Sequence, residues 1–234
     1  MALGINTSSE TATFAPIVKY DARAGRFFRV DRSQDASGQW VKDDVDVTQG
    51  FSCVMDLATI EVGWIAFAGA APDFRLGKVG EPIPPRPAGN DDKGKPLYKQ
   101  GFCMRMKLAK SIGGDVREWA HTAKVVLGAV DELHNTFLNA PEAKAGKLPV
   151  VKLIGTVPVK SGTGANTSTN YAPKFEIAQW IERPADLPLA AATNGAATNG
   201  HAEAAKPNVP PPVTGKRASA PPPPKEAADV GAEF

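Results

Sequence analysis

The sequence predicts a mainly β protein of the α+β class, with one long helix and a C-terminal segment that lies outside the folded core. Three observations support this prediction. In several segments apolar and polar residues alternate with the period of two that is typical of strands. One stretch shows the three-to-four-residue apolar spacing of a helix. After Leu187 the composition changes to Ala, Pro, Asn and Gly, with almost no large apolar side chain.

The composition describes an ordinary globular protein. Of 234 residues, 42% are hydrophobic and 22% are charged, which is enough for a proper core in one domain or two. The formal charge of +2 is far below that of a protein that coats duplex DNA, so any nucleic-acid binding must come from a local patch. Cys53 and Cys103 lie in apolar runs and are predicted to be buried, reduced thiols of a cytoplasmic protein, with a disulfide as the alternative.

Neither secretion nor membrane insertion is expected. The first ten residues lack the basic and apolar regions of a signal peptide. The longest apolar run, "GWIAFAGAAP", has about half of the roughly 20 residues that are needed to cross a bilayer.

Strands are predicted in five regions. Two short strands surround a turn in residues 16–32, and one long or two consecutive strands occupy residues 49–67. Residues 97–109 alternate clearly, with Phe102 and Met104 on one face and Lys99, Arg105 and Lys107 on the other. Residues 148–160 and 172–184 form two closing strands, joined by the polar loop "SGTGANTSTN".

A single long helix is predicted over residues 115–141. Asp115, followed three residues later by Glu118, fits the logic of a capping box at its start, and Asn139 with Pro141 marks its end. One apolar stripe for the core repeats at helical spacing, formed by Trp119, Val126, Val130, Leu133 and Phe137. A helix between the third and fourth strands of a five-stranded antiparallel barrel is the layout of the OB-fold, so the predicted fold is OB-fold-like, with the early strands as extensions.

No metal, cofactor or catalytic site is predicted. Two acid-x-x-His pairs, Glu118 with His121 and Asp131 with His134, would lie about 20 Å apart on one helix and could not share a metal ion. The glycines near Lys160 lead into a strand, whereas a phosphate-binding loop leads into a helix. The chain is therefore expected not to be an enzyme.

Basic and aromatic side chains alternate along the predicted strands, as binding of a single-stranded nucleic acid requires. The candidate DNA-binding residues are Lys95, Tyr98, Lys99, Phe102, Arg105, Lys107, Lys152, Lys160, Tyr171, Lys174 and Trp180. Strict alternation places Trp180 on the polar face with Lys174, so its ring is either covered by another element or open to a ligand. Tyr98 and Phe102 lie on an apolar face, where packing in the core is the alternative to stacking.

The chain divides into a nucleic-acid-binding domain, residues 10–188, and a tail, residues 189–234. The tail is rich in Ala, Pro and Asn and has too few large apolar groups to repay the entropy of ordering, so it is predicted to be disordered. Its weakly acidic tip, "ADVGAEF", combines an aromatic ring with a carboxylate. Asp229, Glu233 and Phe234 are therefore predicted to contact a protein partner.

This arrangement resembles that of phage-type single-stranded DNA-binding proteins, the T7-like and Enc34-like group. The resemblance rests on the strand order with one helix, on the basic strands with aromatics, and on the tip "ADVGAEF". It implies a cofactor-free protein that coats single-stranded DNA during replication or recombination in a bacterial host cell. Its partners would be replication or recombination proteins held by the tip, and association of identical copies remains open. The alternative is a structural or adaptor protein of a phage particle that uses its Pro-rich tail.

Overall fold

Ten strands and two α-helices form the part of the chain that the structure, a computed structural model, describes: residues 16–68, 71–164 and 167–187. The strands are β1 (Ile17–Asp21), β2 (Arg26–Gln34), β3 (Trp40–Asp46), β4 (Ser52–Met55), β5 (Glu61–Ala66), β6 (Asp73–Lys78), β7 (Lys99–Leu108), β8 (Val116–His121), β9 (Leu148–Ser161) and β10 (Ser168–Ile181). The helices are α1 (Lys124–Asn139) and α2 (Pro141–Lys144). The prediction of a mainly β protein with one long helix is confirmed.

All ten strands belong to one mixed sheet. Its main path runs β10-β9-β4-β7-β8-β1-β2-β3, and β5 pairs with the first half of β7 and with β6. Neighbours are antiparallel, except that β1 runs parallel to β8. No ladder joins the two ends of the path within the described residues, so the sheet is not closed. A main-chain hydrogen bond of 2.6 Å from Tyr171 N–H to the Ala22 carbonyl links β10 to the β1–β2 turn.

The inner face of the sheet packs against α1 around a cluster of aromatic rings. Phe27 stacks on Phe51 at 3.9 Å between ring centroids, and Phe102 meets the edge of Trp119 at 4.9 Å. The helix contributes the stripe that its spacing predicts, since its buried residues are Val126, Val130, Leu133 and Phe137. Among the described residues, no helix is long and apolar enough to cross a membrane.

The predicted start of the helix is wrong. Residues 116–121 form β8, which fills the edge of β7 and also pairs with β1. Trp119 fits the apolar spacing of a helix and also that of a strand. The main-chain groups along the edge of β7 need hydrogen-bonding partners, and this outweighs the helical spacing. Asp115 caps nothing; its carboxylate pairs with Arg117 at 2.8 Å. Glu118 and His121 therefore lie on a strand, and within the described ranges no three acidic, His or Cys side chains gather to hold a metal ion.

Most of the other predicted strands are present. The two strands around the first turn are β1 and β2, residues 49–67 contain β4 and β5, and the long predicted strands are β7, β9 and β10. The sequence interpretation missed β3 and β6. The loop between the two closing strands is shorter than expected, because β9 extends to Ser161 and β10 begins at Ser168. Both cysteines are free thiols; Cys53 is buried and Cys103 is half-buried.

The segment after β10 crosses the outer face of the sheet, and we call residues 182–187 the strap. Leu187 is fully buried there against Val54, Leu148 and Val150. Two ion pairs hold the strap: Arg183 donates two hydrogen bonds of 2.7 and 2.8 Å to the buried Asp56 carboxylate, and Asp186 accepts from Lys107 at 2.7 Å. The folded region therefore includes Leu187, the residue after which the composition changes.

Candidate nucleic-acid interface

The β9–β10 hairpin is longer than the sheet beneath it requires, and its far half forms what we call the arm, residues 154–175. The 14 residues of β9 pair with the 14 of β10 through two irregularities, one of which leaves Ile154 without a partner. From residue 154 to residue 175 the sequence contains no Asp or Glu but contains Lys160 and Lys174. The arm is therefore a positively charged ribbon rich in hydroxyl and amide groups.

Tyr171 holds a fixed position on the inner face of the arm. Its N–H donates to the Ala22 carbonyl at 2.6 Å, and its own carbonyl accepts from the Tyr20 hydroxyl at 2.9 Å. Gly25 has a φ of +68°, and a Cβ added there would lie 3.0 Å from the Tyr171 Cβ, so only glycine allows the turn to approach this closely. The main chain of the half-buried Tyr171 is thus held at the junction of arm and turn.

Two basic residues lie in the segments next to Tyr171. In the β9–β10 register Tyr171 lies opposite Pro158, and the next inner pair is Thr169 with Lys160. Residues that face each other across a ladder share one face of the sheet, so Lys160 and Tyr171 lie on the same side of the arm. Arg23 is exposed in the turn that contacts Tyr171. An aromatic ring that shares a face with a lysine, next to a turn that exposes an arginine, has the composition of a site for a base and its neighbouring phosphates.

Lys174 lies on the opposite, outer face of the arm. It faces Gly155 across the ladder, and the next outer pairs are Ala172 with Val157 and Asn170 with Val159. Lys174 is exposed and makes no ion pair within the described residues. The structure therefore separates Lys174 from the Tyr171 ring, although the sequence placed both on one predicted interface.

Four other predicted cations lie at a third place, the outer face of the sheet: Lys99, Arg105 and Lys107 of β7 and Lys152 of β9. Lys99 and Arg105 are exposed there. Lys107 is only 14% exposed and is held by Asp186 of the strap. Lys152 is half-buried between Ser52 and Glu176 in neighbouring strands. Of these four residues, Lys99 and Arg105 are therefore the most accessible to a ligand.

Three further predicted residues occupy other environments. Phe102 is 2% exposed and packs on Trp119, so its ring is a core ring and is not available for stacking. Tyr98 is half-buried, and its hydroxyl donates a short hydrogen bond to the Asp73 carboxylate. This hydrogen bond raises the pKa of Tyr98. Lys95 is exposed in a tight turn whose main-chain N–H groups bind the Asp91 carboxylate.

Trp180 is covered by α1. Its ring stacks on Phe137 at 5.9 Å, so of the two interpretations of this ring the structure shows the covered one. The reason is a bulge between Ile177 and Gln179, which adds Ala178 to β10 and reverses the alternation beyond it. Phe175, Ile177 and Trp180 consequently share the inner face, whereas Ile181 packs in the outer cluster beneath the strap. The predicted face of Trp180 was wrong.

Two exposed residues were missing from the sequence interpretation. Arg23 was passed over as part of a turn. Trp40 is 67% exposed near the tip of the β2–β3 hairpin, and the signal for it was a lone Trp in the polar stretch "DRSQDASGQWVKDD". The predicted partner-binding residues Asp229, Glu233 and Phe234, and the tail as a whole, lie outside the described residues.

Comparison with known proteins gives no relative from which a function could be transferred: no protein-family model, curated protein or solved structure matches this chain significantly.

Proposed function

We propose that this chain is a non-enzymatic protein that binds single-stranded DNA without sequence preference and coats it during replication or recombination, in a phage or prophage setting. The observation that carries the proposal is that Tyr171, whose main chain is held by the β1–β2 turn, shares the inner face of an acid-free arm with Lys160, while Arg23 is exposed in that turn. Stacking on a ring tolerates any base, and phosphate contacts carry no sequence information, so such a site favours coating over recognition of one sequence.

The strand pairing supports an OB-like assignment of the central strands. Taken in chain order, β4, β7 and β8 precede α1, and β9 and β10 follow it. Their ladders run β8-β7-β4-β9-β10, which is the order three, two, one, four, five. An OB-fold has this order and a helix between its third and fourth strands, and its fourth-to-fifth connection contributes to ligand binding. The arm takes the place of that connection.

The N-terminal strands account for the difference from a simple barrel. In an OB-fold the third and fifth strands meet, but here β1 pairs in parallel with β8, and the turn after β1 contacts β10 through Tyr171. The N-terminal strands thus bring the β1–β2 turn to the part of the arm that contains Tyr171. Under the proposal this is how Arg23 joins Tyr171 and Lys160 in one site.

The proposal is tested by comparing labelled oligo(dT) with a duplex of equal length in a salt series. We expect tighter binding to the single strand and a log affinity that falls with log salt by about 0.7 for each phosphate neutralised. Equal affinity for the duplex, or affinity that does not change with salt, would refute single-strand coating and favour the adaptor alternative.

Variants of the site identify the ring and the cation. Tyr171→Ala should weaken oligo(dT) binding about five- to 150-fold, equivalent to the 1 to 3 kcal/mol of one stacked base, while Tyr171→Phe should bind normally because it keeps the ring. Lys160→Ala should lower the salt slope by about 0.7. Lys144→Ala, at an exposed lysine on α2, is the matched control. If Lys144→Ala and Lys160→Ala weaken binding equally, the arm is not the interface.

Recruitment of replication or recombination proteins by Asp229, Glu233 and Phe234 is a separate part of the proposal, based on the sequence of the tip. Deleting "ADVGAEF" should remove a protein partner and leave oligo(dT) binding equal or slightly tighter. Pull-downs with the full-length and shortened chains should therefore differ, and identical sets of partners would refute a docking role for the tip.

A further inference from the structure

The two strands that end the main path of the sheet, β3 and β10, each have one unpaired edge within the described residues. In the described residues β3 pairs with β2 alone, and β10 pairs with β9 alone apart from the Tyr171 contact with the first turn. An unpaired strand edge is a template on which another chain can dock. Both hairpins that carry these edges also expose apolar side chains, which is the second requirement for a protein contact.

The first of these surfaces is the acidic hairpin, residues 31–46. Near its tip Trp40 is 67% exposed and Val41 is 46% exposed, on opposite faces of β3. The segment has five aspartates against Arg32 and Lys42, a formal charge of −3. Asp31 and Asp46 have arginine partners outside the hairpin. Of the three that remain, Asp44 pairs with Lys42 at 3.0 Å, which leaves Asp35 and Asp43 against Arg32.

The second surface is the outer face of the arm. Val157 is 50% exposed and Val159 is 37% exposed, and on β10 the face continues through Ala172 to the exposed Lys174. With no acid anywhere in the arm, its charge is +2. Since Tyr171 and Lys160 lie on the inner face, a protein bound to the outer face would leave the nucleic-acid site open.

We propose that the acidic hairpin of one copy docks on the outer face of the arm of the next copy. The two surfaces are opposite in charge, and each offers apolar side chains that are exposed in the part of the chain that the structure describes. An interface between two different surfaces of the same protein is heterologous and propagates from copy to copy. The occupant of each surface is therefore a second copy of this chain.

The inference deepens the proposed coating function, and its cooperative aspect rests on that function. A linear series of copies would place successive inner-face sites along one DNA strand, so that each bound copy recruits the next. The association itself is predicted for the protein without DNA, because both surfaces are present on the free chain.

The test uses two full-length variants, each with one surface altered. The hairpin variant is Trp40→Ser with Val41→Ser, and the arm variant is Val157→Thr with Val159→Thr, which keeps the β-branched shape that strands favour. Sedimentation velocity of the wild type should show an average mass that rises with concentration beyond two copies. Each variant alone should stay monomeric, because every contact needs both surfaces.

Mixing the two variants distinguishes a heterologous contact from a symmetric one. In an equal mixture the intact arm of the hairpin variant can bind the intact hairpin of the arm variant, so dimers should form and growth should stop there. A symmetric hairpin-to-hairpin or arm-to-arm contact would instead let the variant that keeps that surface dimerise on its own. A wild type that remains monomeric at all concentrations and binds long oligo(dT) without cooperativity, or variants that assemble as the wild type does, would overturn the inference.

A charge variant tests the same contact independently of folding. Lys174→Glu should weaken assembly by about tenfold or more and Lys144→Glu should not, and melting temperatures should show that both variants are folded. Binding to an oligo(dT) of single-site length should be unchanged in the hairpin and arm variants. If the wild type assembles but binds no oligo(dT), the coating function fails and this contact stands; if it binds but never assembles, the contact alone fails.

Discussion

At the scale of single residues, one inserted amino acid determines what Trp180 contacts. Ala178 forms a bulge, and the bulge turns the ring from the outer face towards Phe137. Strict alternation had placed it among polar side chains, because a sequence shows the period of a strand but not the place where a residue is added. Ile181 changes face for the same reason.

The environment of Trp180 leads to a prediction about stability. Trp180→Ala removes a ring that packs against the core and α1, so the free energy of unfolding should fall by about 3 kcal/mol, the lower end for a large buried ring. Urea denaturation measures this loss, and oligo(dT) affinity of the folded variant should not change. A stable variant with weakened binding would show instead that the ring contacts DNA.

His121 makes the stability of the protein depend on pH. Burial lowers its pKa; the hydrogen bond to the Tyr20 carbonyl and the charge of Asp21 act in the opposite direction. Its Nδ1 accepts from Ala123 N–H at 2.9 Å, so the folded state holds the neutral ring. Below the ordinary value near 6.5 the unfolded chain takes up a proton that the folded chain resists, so stability is full above that pH and falls as the solution is acidified.

We therefore expect the free energy of unfolding to fall between pH 7.5 and 5.5, and His121→Asn to flatten that dependence. Asn preserves an acceptor for the Ala123 N–H but does not titrate. His134, whose pKa burial also lowers, provides the comparison through His134→Gln. Urea denaturation at both pH values measures the effect, and an unchanged pH dependence in His121→Asn would assign it to other groups.

At the scale of elements, the position of the strap depends on the ion pair between Arg183 and Asp56, in which only the aspartate is fully buried. Asp56 has no exposed surface, and Arg183 is its ion-pair partner in the described structure. Arg183→Met should therefore cost about 3 to 5 kcal/mol, because it leaves a buried carboxylate without a counter-charge. Adding Asp56→Asn should restore part of that loss in urea denaturation. Additive losses in the double variant would show that the two side chains do not act as a pair.

Elements with a clear period could be predicted from the sequence, and elements defined by their neighbours could not. The stripe Val126, Val130, Leu133 and Phe137 identified the body of α1. Residues 116–121 form a strand and not the predicted helix because they pair with the edge of β7. No local sequence pattern reveals that this edge needs a partner. The exposed β3 was missed because its sequence does not alternate clearly. Only three of its seven residues are large and apolar: Trp40 and Val41 at its start, and Val45 near its end.

At the scale of the whole molecule, a mainly β fold with one long helix was predictable, but the order and closure of its strands were not. The predicted helix included residues 116–121, which form the central strand β8, so the sequence did not identify all five of the strands at the centre of the sheet. The parallel partnership of β1 with β8 is a long-range contact that leaves no periodic signal. The contact of Tyr171 with Ala22 in the turn after β1 is likewise a long-range contact without a periodic signal.

The burial of Asp56 beneath the strap also has a consequence for biosynthesis. Asp56 and Arg183 are 127 residues apart in the chain. At ribosomal rates of about 5 to 20 residues per second, roughly 6 to 25 seconds separate the synthesis of the carboxylate from that of its arginine. Until the strap has been made, Asp56 lacks its arginine and Val54 lacks the cover of Leu187, so we expect the nascent chain to be a substrate for chaperones during that interval.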